Sequence, residues 1–259
     1  MIDPPVNFST DLSGRTALVT GASSGLGWRF AKVLAACGAK VAVAGRREGR
    51  LETLAAEIRA DGGVALPVVL DVSKTGDLAA AVDKVEQGLG LVDILVNNAG
   101  MPDALRAVKM PIETVDEVFD TNLRGPWVLS CEVARRLIAM KQPGRIVNIS
   151  SMGAFNFSGK TAAALYSVTK TGMVRMTEVL AMEWAKFDIN VNAIAPGTFS
   201  SEMIDGMIDR VGDGFLKNFP RPRIGRPDQL DGSLLYLVSP SSDFVTGTCL
   251  KVDDAQIPR

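Results

Sequence analysis

Residues 15–38, RTALVTGASSGLGWRFAKVLAACG, decide the fold. The opening RTALVTG is a short apolar run rich in residues that favour a buried strand. It passes without a linker into Gly21, Gly25 and Gly27, and the stretch from GLGWRF to Gly38 reads as a helix closing on glycine. A strand that feeds a helix through such a turn offers main-chain N–H groups and the positive helix end to an anion. The spacing is G-x-x-x-G-x-G, neither the G-x-G-x-x-G of the usual dinucleotide turn nor a P-loop, which needs Lys-Ser/Thr after its glycine. Gly21, Ser23, Ser24, Gly25, Leu26 and Gly27 are therefore candidate cofactor contacts, the plain alternative being a glycine-rich turn that binds nothing.

The same rhythm continues outward. KVAVAG (40–45), VALPVVLDV (64–72), DILVNNAG (93–100), GRIVNISS (144–151), INVNAIAPG (189–197) and GTCLKVDD (247–254) read as further strands. Helical patterns lie between most of them, notably at 48–63, 74–88, 121–140 and 162–185. Seven strands alternating with helices predict a doubly wound α/β fold on a parallel sheet. No linker or repeat divides the 259 residues, so one Rossmann-type domain is expected, with residues 1–12 as an N-terminal arm and 198–226 as a small helical flap.

Composition narrows the chemistry. Hydrophobic residues make up 47% and charged residues 22%, with a net charge of −1 and no basic cluster, which speaks against nucleic acid or an anionic membrane as partner. No apolar run approaches a membrane span, and the first residues lack the pattern of a signal peptide. Cys37, Cys131 and Cys249 are odd in number and scattered, as expected for reduced thiols in a cytoplasmic protein. There is no histidine, which removes Ser-His-Asp and Cys-His catalysis and leaves no ordinary zinc site. Proton transfer must fall to Tyr, Lys, Asp/Glu, Ser or Cys.

The second strand, at VAVAGRRE, places Gly45 where a carboxylate would read the 2′-hydroxyl of NAD, followed by Arg46 and Arg47. A guanidinium there pairs with the 2′-phosphate of NADP, so NADP(H) is the preferred cofactor and NAD(H) the alternative. Asp71, at the end of the third strand, stands where an adenine amino group would arrive, with Val72 beside it.

These pieces, read together, make the sequence resemble the short-chain dehydrogenase/reductase family. The matching segments are TGASSGLG, LDV, NNAG at 97–100, Asn122 in DTNLRGPW, ISS at 149–151, YSVTK at 166–170 and APG at 195–197, in family order across about residues 12–254. The resemblance implies a nicotinamide cofactor and a catalytic tetrad of Asn122, Ser151, Tyr166 and Lys170. It also implies cofactor contacts at Asn98, Ala99 and Gly100 on the adenine side, at Tyr166 and Lys170, and at Pro196, Gly197 and Thr198 beside the nicotinamide. Family members are commonly tetramers built on helices corresponding to 121–140 and 162–185, so a homotetramer, or a homodimer, is expected.

Tyr166 and Lys170 are one helical turn apart and project from one face. A free tyrosine has a pKa of about 10, and lowering it by about three units requires roughly 4 kcal/mol. The Lys170 ammonium and an oxidised nicotinamide are expected to contribute that lowering. Only one of Ser150 and Ser151 can face the site, and the family resemblance implies that it is Ser151, which would hold the substrate oxygen. The side-chain amide of Asn122 is expected to hold a water linking Lys170 to solvent.

Two departures from the family pattern stand out. Ser151 and Tyr166 are 15 positions apart, which lengthens the loop expected to border the substrate. Asp254 stands where the family usually has glycine, with a consequence that the sequence leaves open. Phe155, Phe157, Phe199, Met203 and Met207 join Ser151 and Tyr166 as candidate substrate contacts, and their apolar character suits a hydrophobic or aromatic carbonyl compound. The rival readings are an NAD-dependent alcohol, polyol or 3-hydroxyacyl-thioester dehydrogenase of the same family, and a non-catalytic dinucleotide-binding regulator.

Overall fold

The structure, a computed structural model, describes residues 9–159, 162–212 and 214–257, without the side chains of Met203, Met207, Arg210 and Val211. Most of the expected N-terminal arm, residues 1–8, lies outside the described residues.

Seven parallel strands form one sheet in the order β3-β2-β1-β4-β5-β6-β7. They are β1 (Thr16–Thr20), β2 (Lys40–Gly45), β3 (Val64–Val69), β4 (Ile94–Asn97), β5 (Gly144–Ile149), β6 (Ile189–Pro196) and β7 (Cys249–Val252). β1, β4 and β5 are buried on both faces, which is why they read as continuous apolar runs rather than alternating ones. One face of the sheet is covered by α1 (Gly25–Ala36), α2 (Glu48–Ala60) and α8 (Asp231–Val238), through Leu34, Leu54 and Leu234. The other is covered by α3 (Leu78–Leu89), α5 (Gly125–Met140) and α6 (Ala164–Trp184), through Val82, Leu129 and Leu180.

The helix expected over 121–140 starts differently. A short helix α4 (Ile112–Phe119) runs into one π turn, Asp120–Arg124, which continues as α5. Asn122 sits in that π turn and is fully buried. The expected flap contains α7 (Glu202–Val211) and the 3-10 turn Gly214–Asn218.

Beneath the site, the core holds a polar ladder. β4 and β5 place Asn97 opposite Asn148. The Asn97 amide donates to Ser130 Oγ at 2.9 Å and to Asn148 Oδ1 at 2.8 Å, and Asn148 donates to Thr177 Oγ1 at 2.9 Å. Breaking one such buried bond leaves a polar group unpaired at a cost of about 1–3 kcal/mol, so the ladder locks α5 and α6 against the sheet in one register.

The strand order reverses between β1 and β4. At the carboxyl ends of the strands, a doubly wound sheet opens its ligand crevice at this reversal.

Candidate active site

A cleft of about 1470 Å³ opens there, running from the glycine turn past β4 and β5 to the flap. Its phosphate end is built from main chain. Gly21 has φ +65° and Gly25 φ +54°. A Cβ on Gly27 would come within 2.4 Å of both Gly21 O and Asn98 Nδ2, so α1 can start this close to the turn only with glycine at that position. Asn98 Nδ2 itself donates to Thr20 O at 2.9 Å and to Gly21 O at 3.2 Å, tying the end of β4 to the turn. Ser23, Ser24, Gly25 and Leu26 line the cleft, whereas Gly27 acts behind it.

The two arginines diverge. Arg47 Nε donates to Ser23 Oγ at 3.1 Å, and its terminal nitrogens reach Ser24 Oγ at 2.7 Å and Glu202 Oε2 at 3.0 Å. Arg46 is exposed, lines the cleft, and has no hydrogen bond or ion pair among the described residues. Asp71 lines the same end, one oxygen accepting Ser73 N–H at 3.1 Å and the Ser73 hydroxyl at 2.8 Å. Val72, Ala99, Gly100, Pro196, Gly197 and Thr198 complete the wall. This end fits a dinucleotide: the glycine cradle has no room for side chains, and an uncommitted guanidinium stands at its rim.

The other end gathers three of the four expected catalytic side chains. Ser151 and Tyr166 both line this end, the serine hydroxyl near enough to the phenol to act on its ionisation. Ser151 Oγ accepts Gly153 N–H at 3.0 Å, Ser167 Oγ donates to Gly153 O at 2.6 Å, and Thr171 Oγ1 donates to Ala154 O at 3.0 Å. The turn after β5 is thus fastened to α6, which holds Ser151 in front of Tyr166. The Ser150 hydroxyl is engaged elsewhere, donating to Lys170 O at 2.9 Å. The Lys170 ammonium lies 5.7 Å from the Tyr166 ring centroid and donates to Ile149 O at 2.8 Å.

Burial controls both charges. It lowers Lys170 from 10.5 to about 8. It also pushes the Tyr166 phenol above its ordinary value, with the Ser151 hydroxyl opposing and the Asp103 charge assisting. Among the protein's own groups, desolvation of the phenolate outweighs the lowering expected for Tyr166.

Asn122 is held by protein partners on both sides of its amide. Its Nδ2 donates to Met101 O at 3.0 Å and Thr169 Oγ1 at 3.1 Å, while Oδ1 accepts Met101 N–H at 2.9 Å. Both amide hydrogens are spent on protein, so the side chain fixes the chain after β4 instead of donating to a water. A Cβ on Gly100 would lie 3.4 Å from both Asn122 Oδ1 and Lys170 Nζ, so glycine keeps the space between them open.

At the substrate side, Phe157 and Phe199 line the cleft, and the lengthened loop contributes Asn156, Phe157, Ser158, Ala162 and Ala163. Phe155 does not line it; the ring lies against Lys251, whose Nζ is 4.1 Å from its centroid. It precedes Phe157 in the loop by two positions, yet the 3-10 turn Met152–Ala154 swings it to the outer side. Met203 and Met207 lie on α7 with side chains outside the described residues. Three contributors were not expected. Gln256 accepts Thr198 N–H at 2.7 Å, Glu202 holds Arg47, and Asp103 accepts two N–H groups at the start of α6. Asp254, at φ +49°, accepts Arg221 at 2.9 Å and Arg223 at 2.7 Å, so its departure from glycine anchors the far end of the flap.

A sequence model described as short chain dehydrogenase matches residues 15–210. The chain belongs to the short-chain dehydrogenase family. It is accordingly an NAD(P)-dependent oxidoreductase of CH–OH and C=O groups. The chain is 34% identical over 249 residues to a 2-dehydro-3-deoxy-D-gluconate 5-dehydrogenase of Formosa agariphila, covering 94% of this chain and 92% of that protein. It is 32% identical to a 3-oxoacyl-(acyl-carrier-protein) reductase of Rickettsia bellii, covering 95% and 98%. Among solved structures it is similar to a gluconate 5-dehydrogenase from Burkholderia cenocepacia in complex with NADP and tartrate. That likeness has TM-score 0.89 and 34% identity, over 95% of this chain and 96% of the other.

Proposed function

We propose that this short-chain dehydrogenase interconverts a ketone and a secondary alcohol with NADP(H) as preferred cofactor, acting on a hydrophobic or aromatic substrate. The observation that carries the reading is the convergence of Ser151, Tyr166 and Lys170 in the same cleft as the glycine turn and Arg46. When bound, the cofactor supplies or accepts the hydride. Gly21, Ser23, Ser24, Gly25 and Leu26 would hold its phosphates by main-chain and hydroxyl donors, Arg46 its 2′-phosphate, and Asp71, Val72, Asn98, Ala99 and Gly100 the adenosine side. Pro196, Gly197 and Thr198 would border the nicotinamide, with Lys170 on the adjoining ribose. The complex of the Burkholderia relative with NADP supports this choice over NAD(H).

In carbonyl reduction, Ser151 holds the carbonyl oxygen and Tyr166 delivers its proton to the oxygen as negative charge develops there. Lys170 stands beside the phenol and offsets the charge that proton transfer leaves behind. Because burial holds the phenol above its ordinary value, the acid form persists through neutral pH. Reduction is therefore expected at neutral pH, and alcohol oxidation, which needs the phenolate, gains on the alkaline side.

Phe157, Phe199, Ile204, Phe215 and Phe219 in the cleft support an apolar substrate. A polar keto acid is the second reading, favoured by Arg106 and Asn218 in the same wall and by the sugar-acid substrate named for the Formosa relative. The chain is read as one catalytic domain with residues 198–226 as substrate flap. Exposed Trp127 on α5 and Val168 and Met182 on α6 support a homotetramer, the alternative being a homodimer, in the cytoplasm. Light scattering on the purified protein tests the assembly.

The deciding test is oxidation of NADPH, and separately NADH, against aryl ketones, diketones, keto sugars and 3-ketoacyl thioesters. Turnover of aryl ketones with NADPH is the expected result. Turnover with NADH alone, or on polar substrates alone, would overturn the cofactor or the substrate half of the reading. Equal turnover by the Tyr166→Phe variant would overturn the acid–base role.

A further inference from the structure

Asp103 is a buried carboxylate with no part in the reading above. It lies in the segment between β4 and α4, three residues after Gly100, and is 3% exposed. Its Oδ2 accepts the N–H groups of Leu165 at 2.8 Å and of Tyr166 at 3.1 Å. These are orphan donors of the first turn of α6, and Ala163, at the N-cap position of that helix, supplies no side-chain bond. Asp103 thus caps α6 from a distant part of the chain, 62 positions away in sequence from Leu165. Its other oxygen, Oδ1, is buried without a hydrogen-bond partner among the described residues.

The cap is itself fixed. Two residues earlier, Met101 exchanges both main-chain bonds with the Asn122 side chain, which also reaches Thr169 on α6. Asn122 and Asp103 therefore grip the same short segment and fasten it to α6 around Tyr166. A serine or asparagine at the N-cap position could hold the helix start equally well. A carboxylate does more, because it sets a negative charge on the main chain of Tyr166 itself, at the start of the helix whose phenol oxygen must lose and regain a proton.

We propose that Asp103 is a positioning residue of the proton-transfer site: it docks the first turn of α6 so that Tyr166 faces Ser151, and its charge opposes the negative charge that develops on the Tyr166 oxygen. This rests on the reading of Tyr166 as the acid–base group. The charged groups that line this cleft near the carbonyl end are Lys170 on α6, near Tyr166, and Arg106 in the substrate wall. Arg46, Arg47, Asp71 and Glu202 belong to its adenosine end. Burial already holds the phenol high, and the Asp103 charge acts in the same direction. Removing that charge must therefore make the phenol a stronger acid.

The chain has two tyrosines, so Tyr236→Phe leaves Tyr166 alone, and phenolate ultraviolet absorbance then follows its titration directly. Asp103→Asn keeps an acceptor oxygen for the two amides and removes the charge. In that background its phenolate midpoint is expected to fall by about half a pH unit or more. The rising limb of kcat/KM for alcohol oxidation with NADP should move the same way. An unmoved midpoint overturns the charge role; Asp103→Ser replaces Asp103→Asn if the amide variant fails to fold. Asp103→Ala, which has no acceptor, is expected to lose about tenfold more kcat than Asp103→Asn, as small misplacements of reacting groups do. Equal kcat in the alanine and asparagine variants overturns the docking role. Tyr166→Phe separates the two readings: full turnover there sinks the acid–base reading, while the phenolate titration still decides whether Asp103 couples to Tyr166.

Discussion

The two ends of the cleft use different materials. At the glycine turn the wall is main chain, pressed so close that a single methyl on Gly27 would meet two atoms at 2.4 Å. At the carbonyl end the wall is side chains from four separate places: the turn after β5, α6, the segment after β4, and the flap. Backbone approach has a local cause in glycine spacing. A gathering of side chains depends on which segments the sheet order brings together. The first end is therefore rigid by local geometry, and the second is rigid only as far as its hydrogen bonds make it so.

The largest expected effect comes from the carbonyl end. Tyr166→Phe should lower kcat by about 100- to 10,000-fold while leaving NADPH affinity unchanged in a fluorescence titration. A parallel loss of cofactor binding would mean that the two ends are not separable. Gly27→Ala attacks the other end and should cost about 3 kcal/mol of stability in urea unfolding, because the clashing atoms belong to main chain and to a bonded amide. A silent Gly27→Ala would break the claim that this end is closed by backbone packing. Arg46→Ala should weaken NADPH about ten- to a hundredfold and NADH little, the value of one charge-assisted phosphate contact. Equal losses would remove Arg46 from the phosphate site.

A smaller effect sharpens the contrast in stability. Lys170 titrates at about 8 in the folded protein against 10.5 unfolded, so the unfolded chain binds more protons between those values. Holding the buried ammonium costs stability below about pH 8, and that cost is relieved as the pH rises towards about 10.5. Lys170→Met should therefore be inactive yet more stable than the parent at neutral pH by about 1–2 kcal/mol, after loss of the bond to Ile149 O is allowed for. The difference should shrink with rising pH across that window; a constant difference in urea unfolding would contradict it. Smallest of all, Phe157→Ala should raise KM for aryl ketones roughly tenfold, whereas Phe155→Ala should leave it within about twofold.

The contrast also explains what the sequence could tell. The seven-stranded parallel sheet and the glycine turn were legible because each depends on short-range pattern, and the grouping of Ser151, Tyr166 and Lys170 was implied by motifs at fixed spacing. The break at Asp120–Arg124 was not, since a π turn interrupts no apolar periodicity that a linear reading can detect. Phe155 and Phe157 look alike in sequence, and only the path of the 3-10 turn sends one inward and the other to Lys251. Asp103, Glu202 and Gln256 carry no local signal, because their partners are distant in sequence. The direction of the Tyr166 shift required knowing how deeply the phenol is enclosed, which charge counting alone misses.

The flap is fastened at both margins by exposed ion pairs, Arg47 with Glu202 at its start and Arg221 and Arg223 with Asp254 at its end. Between these margins Phe199, Ile204, Phe215 and Phe219 present an apolar face to the cleft, with Ser201 and Asn218 beside them. Ion pairs at the surface weaken as dissolved salt shortens the reach of charge to about 10 Å at 0.1 M, and apolar contacts do not. Added salt is thus expected to weaken the two margins of the proposed flap and leave its apolar contacts in place, so that ligand exchange measured against ionic strength should quicken with salt.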